Sequence, residues 1–203
     1  MTSIALTLTG QQALINGTDP RVLRRAMNRA QRRTEARVKT VVRRAVSRRY
    51  TVTQNRVSKA FRVGQRRSNN FVVSALLLYQ GRRLNLKAFS TGRRTVRTRR
   101  GKRVQATVKV LRSGRKSPVD GTYGGFHATG RNNNELILER TGVVRSAPRY
   151  AGDEKLRSLT GPAIAQMVRS AQVLDQVNQL MEEVYPTEFF RQLRLGQRQS
   201  GRR

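Results

Sequence analysis

The chain has 203 residues, 36% of them hydrophobic, with 43 Lys+Arg against 11 Asp+Glu and a formal net charge of +32. That length sets one domain, or one domain with helical appendages, and the absence of Cys excludes a disulfide framework and a thiolate metal site. Like charges in a compact body repel, so the surplus implies a polyanion or an acidic protein wall beside the chain rather than a merely solubilising surface.

The charge is lopsided. Residues 1–118 hold 31 basic residues and only two acids, Asp19 and Glu35, whereas residues 119–203 hold 12 basic and 9 acidic residues. Arg outnumbers Lys 36 to 7. Dense Arg suits forked contacts to phosphate, where counterion release supplies affinity, so double-stranded DNA is the expected polyanion.

Residues 4–8 (IALTL) alternate weakly and fit a short strand or ordered arm. The start MTSIALTLTGQQ lacks the basic head and long apolar run of a signal peptide. Asn16-Gly17-Thr18-Asp19-Pro20 reads as a turn and a helix start, with Thr18 or Asp19 as cap and Pro20 in the first helical position. From there Val22, Ala26, Ala30, Val38, Val41, Val42 and Ala45 recur at helical spacing to about Arg49, and arginine fills the remaining surface. This predicts a helix about 45 Å long at 1.5 Å per residue. Thr53 can cap a second short helix over 54–61, with Val57, Ala60 and Phe61 on one face.

The middle reads as β. Phe71–Tyr79 is a continuous apolar run, the pattern of a strand buried on both faces. Leu84, Leu86 and Ala88 alternate as a partner strand after the turn at Gly81. Residues 91–103 then carry seven positive charges in thirteen positions, and Val104, Ala106, Val108 and Val110 alternate cleanly. The stretch 84–112 is therefore expected to be a hairpin with a long basic tip. Phe126–Ala128 and Glu135–Glu139 fit two more short strands, and Gly124-Gly125 a turn.

The C-terminal part predicts helices. Pro162 suits a first turn, and Ile164, Met167, Val168, Ala171, Leu174, Val177, Leu180, Met181 and Val184 make a wide apolar face. Pro186 is expected to break that helix, with a restart over 187–195 and a polar tail over 196–203. The class expected is α+β: a long basic N-terminal helix, a central antiparallel sheet with an extended basic hairpin, and C-terminal helices packed on the sheet. In residue ranges this is an arm over 1–18, a single domain over 19–195 and a tail over 196–203. Within the domain lie helices 19–49 and 54–61, a sheet over 71–140, and helices 161–185 and 187–195.

No constellation carries catalysis, so the chain is not expected to be an enzyme, and no cofactor, metal or small-molecule substrate is implied. His127 is the only histidine, and without Cys it cannot complete a zinc site of the usual kind. The acids are scattered, and the pairs Asp153-Glu154 and Glu182-Glu183 suit solvated or capping positions better than a metal. A nuclease would need a carboxylate cluster that the basic half lacks. The longest apolar run, Ala75–Tyr79, is too short to span a bilayer, which predicts a soluble chain.

The candidate contacts to DNA or an acidic partner are the hairpin residues Arg93, Arg94, Arg97, Arg99, Arg100, Lys102 and Arg103. On the long helix they are Arg32, Arg33, Arg43, Arg44, Arg48 and Arg49. With no helix-turn-helix, no zinc finger and no Trp, such contacts should fall on phosphates and ignore sequence. Candidates for packing between subunits are Ile164, Met167, Val168, Leu174, Phe189 and Phe190.

The order of elements then matters. A basic helix and a basic hairpin precede Gly125-Phe126-His127-Ala128, Leu136-Ile137-Leu138-Glu139-Arg140-Thr141-Gly142 and the helix start Leu159-Thr160-Gly161-Pro162-Ala163. Over about residues 15–195 this resembles the minor tail protein Z family of long-tailed bacteriophages, also called tail-completion or neck proteins. The chain departs from the family pattern at Ala163, where Ser is frequent, and at Ala147-Pro148-Arg149-Tyr150. The resemblance implies a virion protein, made in the host cytoplasm, that forms a homohexameric ring at the head-proximal end of the tail. Its implied neighbours are the tail terminator or tube protein, the head-completion (stopper) protein and the packaged double-stranded DNA. The alternative is a sequence-independent nucleic-acid-binding protein of ribosomal or nucleoid type.

Overall fold

A computed structural model describes residues 2–9, 18–68, 72–98, 101–119, 125–130, 132–144 and 153–200. Expectations for Asn16-Gly17, Phe71, Arg99-Arg100, Gly124, Ala147–Tyr150 and 201–203 fall outside the described residues. The fold class is α+β, with N- and C-terminal helices and antiparallel sheets. The chain divides into two compact units. One comprises Met1–Ser47, Gln54–Gly81 and Ile164–Arg203, the other Arg48–Thr53 and Arg82–Ala163.

The first unit is built on α1, Pro20–Arg49, and α4, Ala171–Ser200. Asp19 accepts from the Arg21 amide at 2.8 Å and opens α1, as the capping position predicts. Leu23, Ala26, Met27 and Ala30 of α1 form a buried cluster with Tyr185, Phe189 and Leu193 of α4. The small residues of α1 let the helices approach closely. Gly196 makes the same allowance on α4, since a Cβ there would lie 2.6 Å from Val22 Cγ1.

Three strands complete this unit: β1 (Thr2–Thr9), β2 (Phe61–Ser68) and β3 (Val72–Tyr79), with β3 central and both pairings antiparallel. Ile4 faces Leu77, and Phe61 faces Tyr79. The short helix α2 spans Gln54–Lys59 and buries Val57. It ends two residues earlier than expected because Phe61 starts β2, a strand whose polar sequence FRVGQRRS hides it. The continuous apolar run of β3 also resolves differently. Ala75, Leu77 and Tyr79 are buried while Leu76 and Leu78 are half-buried, so one face is fully covered and the other partly. The short helix α3, Ile164–Val168, touches β1 and β3.

Pro186 does not break the last helix, which runs unbroken from Ala171 to Ser200 and takes in much of the expected tail. Proline removes an amide and crowds the carbonyl four residues earlier, at a cost of about 3 kcal/mol. Burial on both sides offsets it, with Val184 and Tyr185 before and Phe189 and Leu193 after, while the Pro186 ring itself is exposed.

The second unit holds two antiparallel sheets, not one sheet over 71–140. The first is ordered β4 (Ser90–Thr98), β5 (Gly101–Val108), β6 (Ser117–Pro118), and the second β7 (Gly125–Thr129), β8 (Glu135–Val144), β9 (Glu154–Ser158). The basic hairpin is present as β4–β5. Residues 84–88 are not the partner strand of Val72–Tyr79. They lead into a 3-10 turn, Leu86–Phe89, because β1 and β2 already occupy both edges of β3. A register shift between Ser90 and Gly92 bulges β4, and Gly92 takes the φ of 137° this needs.

Asn85 ties the second unit together. Its Oδ1 accepts from the amides of Lys87 (2.9 Å) and Ile137 (2.9 Å), and its Nδ2 donates to Ile137 O (3.2 Å) and Ser158 Oγ (2.8 Å). Around it Leu86 N donates to Leu159 O at 2.9 Å and Gly161 N to Leu84 O at 2.8 Å. Buried Phe89, Ala106, Val119 and Ile137 belong to this unit's core. The Asn85→Ala variant strips the Ile137 amide of its acceptor, so it should lose about 2–3 kcal/mol of stability in urea unfolding. An unchanged midpoint would show that Asn85 is not the tie.

Candidate nucleic-acid interface

Helix α1 separates two environments. Its buried face holds Leu23, Ala26, Met27, Ala30, Val38, Val42, Ala45 and Val46. Its exposed face carries Arg21, Arg24, Arg25, Arg29, Arg32, Arg33, Arg37, Arg44 and Arg48. Like charges four residues apart each cost a few tenths of a kcal/mol, so packing and counter-charges must hold this helix.

Two carboxylates on or against α1 supply the counter-charge. Glu188 of α4, with its side chain 5% exposed, takes Arg33 Nη1 on Oε2 and Arg37 Nη2 on Oε1, each at 3.2 Å. Arg191 Nε stands 3.7 Å from the same group. Glu35, also 5% exposed, is held by the Arg66 fork, Nε at 3.1 Å and Nη2 at 2.6 Å. Donating to the Glu35 carboxylate raises the pKa of Arg66. Lys39 lies 5.0 Å over the ring of Phe61.

The rest of the row is different. Arg24, Arg25, Arg29, Arg32, Arg44 and Arg48 meet no carboxylate at ion-pair distance among the described residues. Of the candidates on this helix, Arg32, Arg44 and Arg48 are exposed and in this group, while Arg33 is drawn onto Glu188. Arg43 is half-buried with its Nε out of water and unbonded among the described residues, which removes it from the outward row. Arg49 lies 5.7 Å from the ring of Tyr50. Within the second unit, to which Arg48–Thr53 belong, Arg112 N donates to Arg49 O at 2.8 Å and Thr51 N to Val110 O at 3.0 Å.

The hairpin carries its own basic group. Antiparallel pairing sets Arg93 against Ala106, Arg94 against Gln105 and Arg97 against Lys102, with Val96 against Arg103. Arg93, Arg94, Thr95 and Val104 are all exposed, so both hairpin faces are in water at that level. Arg99 and Arg100 lie outside the described residues.

Elsewhere the acids close local contacts. Arg157 Nη2 donates to buried Glu139 at 2.6 Å. The Lys87 ammonium bonds Glu135 at 2.6 Å and lowers its pKa. Glu154 accepts from Arg140 at 3.0 Å and from the Gly142 amide at 2.7 Å, which lowers its pKa likewise. His127 is half-buried, its Nε2 3.4 Å from Gly92 O. Among the described residues no three His, Cys, Asp or Glu side chains gather where they could hold a metal ion, and no helix is long and apolar enough to cross a membrane.

The candidates for subunit packing divide. Ile164, Met167, Val168 and Phe189 are buried inside this chain, taken by its own core, which removes them as surface contacts. Leu174 is half-buried, and Phe190 alone is well exposed, at 37%. The role of Glu188 was hidden because its partners lie 155 and 151 residues away. Only its position among the apolar residues of TEFFRQLRL hinted at burial.

The Glu188→Ala variant leaves Arg33 and Arg37 one helical turn apart without the carboxylate they share. It should lower stability by about 2 kcal/mol in urea unfolding, with a smaller loss for Glu188→Gln, and equal stability of all three proteins would dismiss the clamp. Glu135 and Glu154 should titrate below the ordinary glutamate value in carboxyl-detected NMR. Folded pKa values below the unfolded ones mean that their contribution is complete above the ordinary glutamate range and is lost as the pH falls through the lowered values. Comparison with protein-family models, curated proteins and solved structures finds no match for this chain.

Proposed function

We propose that this chain is a structural virion protein of a long-tailed bacteriophage. It is a ring-forming tail-completion component at the head-proximal end of the tail, joining the tail to the head connector and lining the DNA channel. One observation carries the reading: Arg24, Arg25, Arg29, Arg32, Arg44 and Arg48 of α1 and Arg93 and Arg94 of the hairpin make no ion pair with a carboxylate among the described residues, Arg93 acting on Glu135 only at longer range. The carboxylates on or against α1, Glu35 and Glu188, are spent on Arg66, Arg33 and Arg37. What remains is a field suited to phosphates, and a ring concentrates it around a duplex threaded through its centre. The order of the motifs from Gly125 to Ala163 supports the tail-completion role. The mechanism is retention without chemistry: guanidinium groups neutralise phosphates, release counterions and ignore base sequence.

Mass spectrometry of purified virions should find the chain in tails, and electron microscopy of the protein with its neck partners should show rings. Replacing Arg93, Arg94, Arg97, Arg99 and Arg100 together with Ser should leave the thermal transition unchanged, because Arg93 and Arg94 are exposed and connecting segments contribute little burial. It should flatten the salt dependence of DNA binding by about 0.9 for each phosphate that is no longer neutralised, and reduce infectivity. Absence from virions combined with DNA binding would instead fit the sequence-independent nucleic-acid-binding alternative. Full infectivity of the five-fold variant would reject the hairpin as a DNA contact.

A further inference from the structure

Helix α4 is divided by charge as sharply as the whole chain is. Residues 171–184 contain Asp175, Glu182 and Glu183 and no basic residue, whereas residues 185–200 contain Arg191, Arg194 and Arg198 and one acid, the buried Glu188. All six of the other charged side chains are exposed. Glu183, Thr187, Phe190, Arg194 and Arg198 follow one another at three- and four-residue steps, so they form one row along the helix. On its basic half lies a shallow groove of about 420 Å³, lined by Thr187, Phe190, Arg191, Arg194, Leu195 and Arg198. Phe190 and Leu195 are 37% and 41% exposed.

The helix dipole does not account for this division. It favours acids in the first turn and bases in the last, and falls off within those turns. Glu182, Glu183, Arg191 and Arg194 lie in the middle of a 30-residue helix.

We infer that α4 is a contact between copies of this chain, with the acidic half of one copy lying against the basic half of the next. The groove then receives the half-buried Leu180, which shares a face with Glu183, while Glu183 and Glu182 meet Arg194 and Arg198 across the contact. A head-to-tail contact leaves one acidic and one basic half free at every step, so it propagates, and it ends as a ring where the rotation between copies closes. The inference rests on the ring-forming part of the function proposed above and names its contact, and it requires neither DNA nor a phage tail.

The test uses two full-length variants, Glu182→Arg with Glu183→Arg, and Arg194→Glu with Arg198→Glu. Arg191 is left in place because it also stands beside Glu188. Circular dichroism should show both variants folded. In sedimentation at micromolar concentration and about 0.15 M salt, the native chain should form a closed oligomer of more than two copies. Each variant alone should sediment as a monomer, because its two halves now carry the same sign. A one-to-one mixture of the two variants should recover the large species. A monomeric or dimeric native chain, or folded variants that assemble as the native chain does, would overturn the contact. These outcomes are read without DNA or virions, so they leave the virion assignment to its own measurements.

Discussion

Glu188 lies almost wholly out of water between Arg33 and Arg37, and that arrangement governs how α1 can be packed against α4. Two arginines one turn apart repel on an isolated helix. Sharing a carboxylate converts that repulsion into a doubly held anion, and the fork of Arg66 does the same for Glu35 from the other partner element. A buried ion pair is weak evidence for raw stability, because removing two charges from water offsets much of their attraction. What it secures is rotation. With Glu188 and Glu35 fixed, α1 turns its apolar stripe inward and its unpaired arginines outward.

The same logic divides the chain's charge by duty. Glu35, Glu139 and Glu188 are buried and each holds arginine. Glu135 and Glu154 are held at the surface by Lys87 and Arg140. These five acids thus work inside the folded units, while Asp175, Glu182 and Glu183 of α4 are exposed. Arg24, Arg25, Arg29, Arg32, Arg44 and Arg48 on the outer row of α1 make no ion pair among the described residues. A surface built only to stay dissolved would intersperse the signs.

How far the residues themselves announce this structure varies by element. Helix α1 is plain in its capping Asp19, Pro20 and 3.6-residue stripe, and the hairpin is plain in the alternation from Val104 onward. β2 is concealed because FRVGQRRS has almost no apolar alternation, its place being set by pairing with β3. β9 is concealed for the same reason. The unbroken α4 could not be read either, since Pro186 argues against it locally and only tertiary burial on both sides reverses the outcome. In the candidate interface the arginines were visible one by one. Which of them are paired was not, because the acids that decide it arrive from distant segments.

The first unit is assembled from three separate stretches, and β1 pairs with β3 some seventy positions later in the chain. Glu188 follows Arg33 by 155 residues. At ordinary ribosomal speeds that interval lasts roughly 10–30 s. Until then Arg33 and Arg37 lack the carboxylate that they share in the folded chain. The contact that fixes the first long helix is therefore among the last that the growing polypeptide can make.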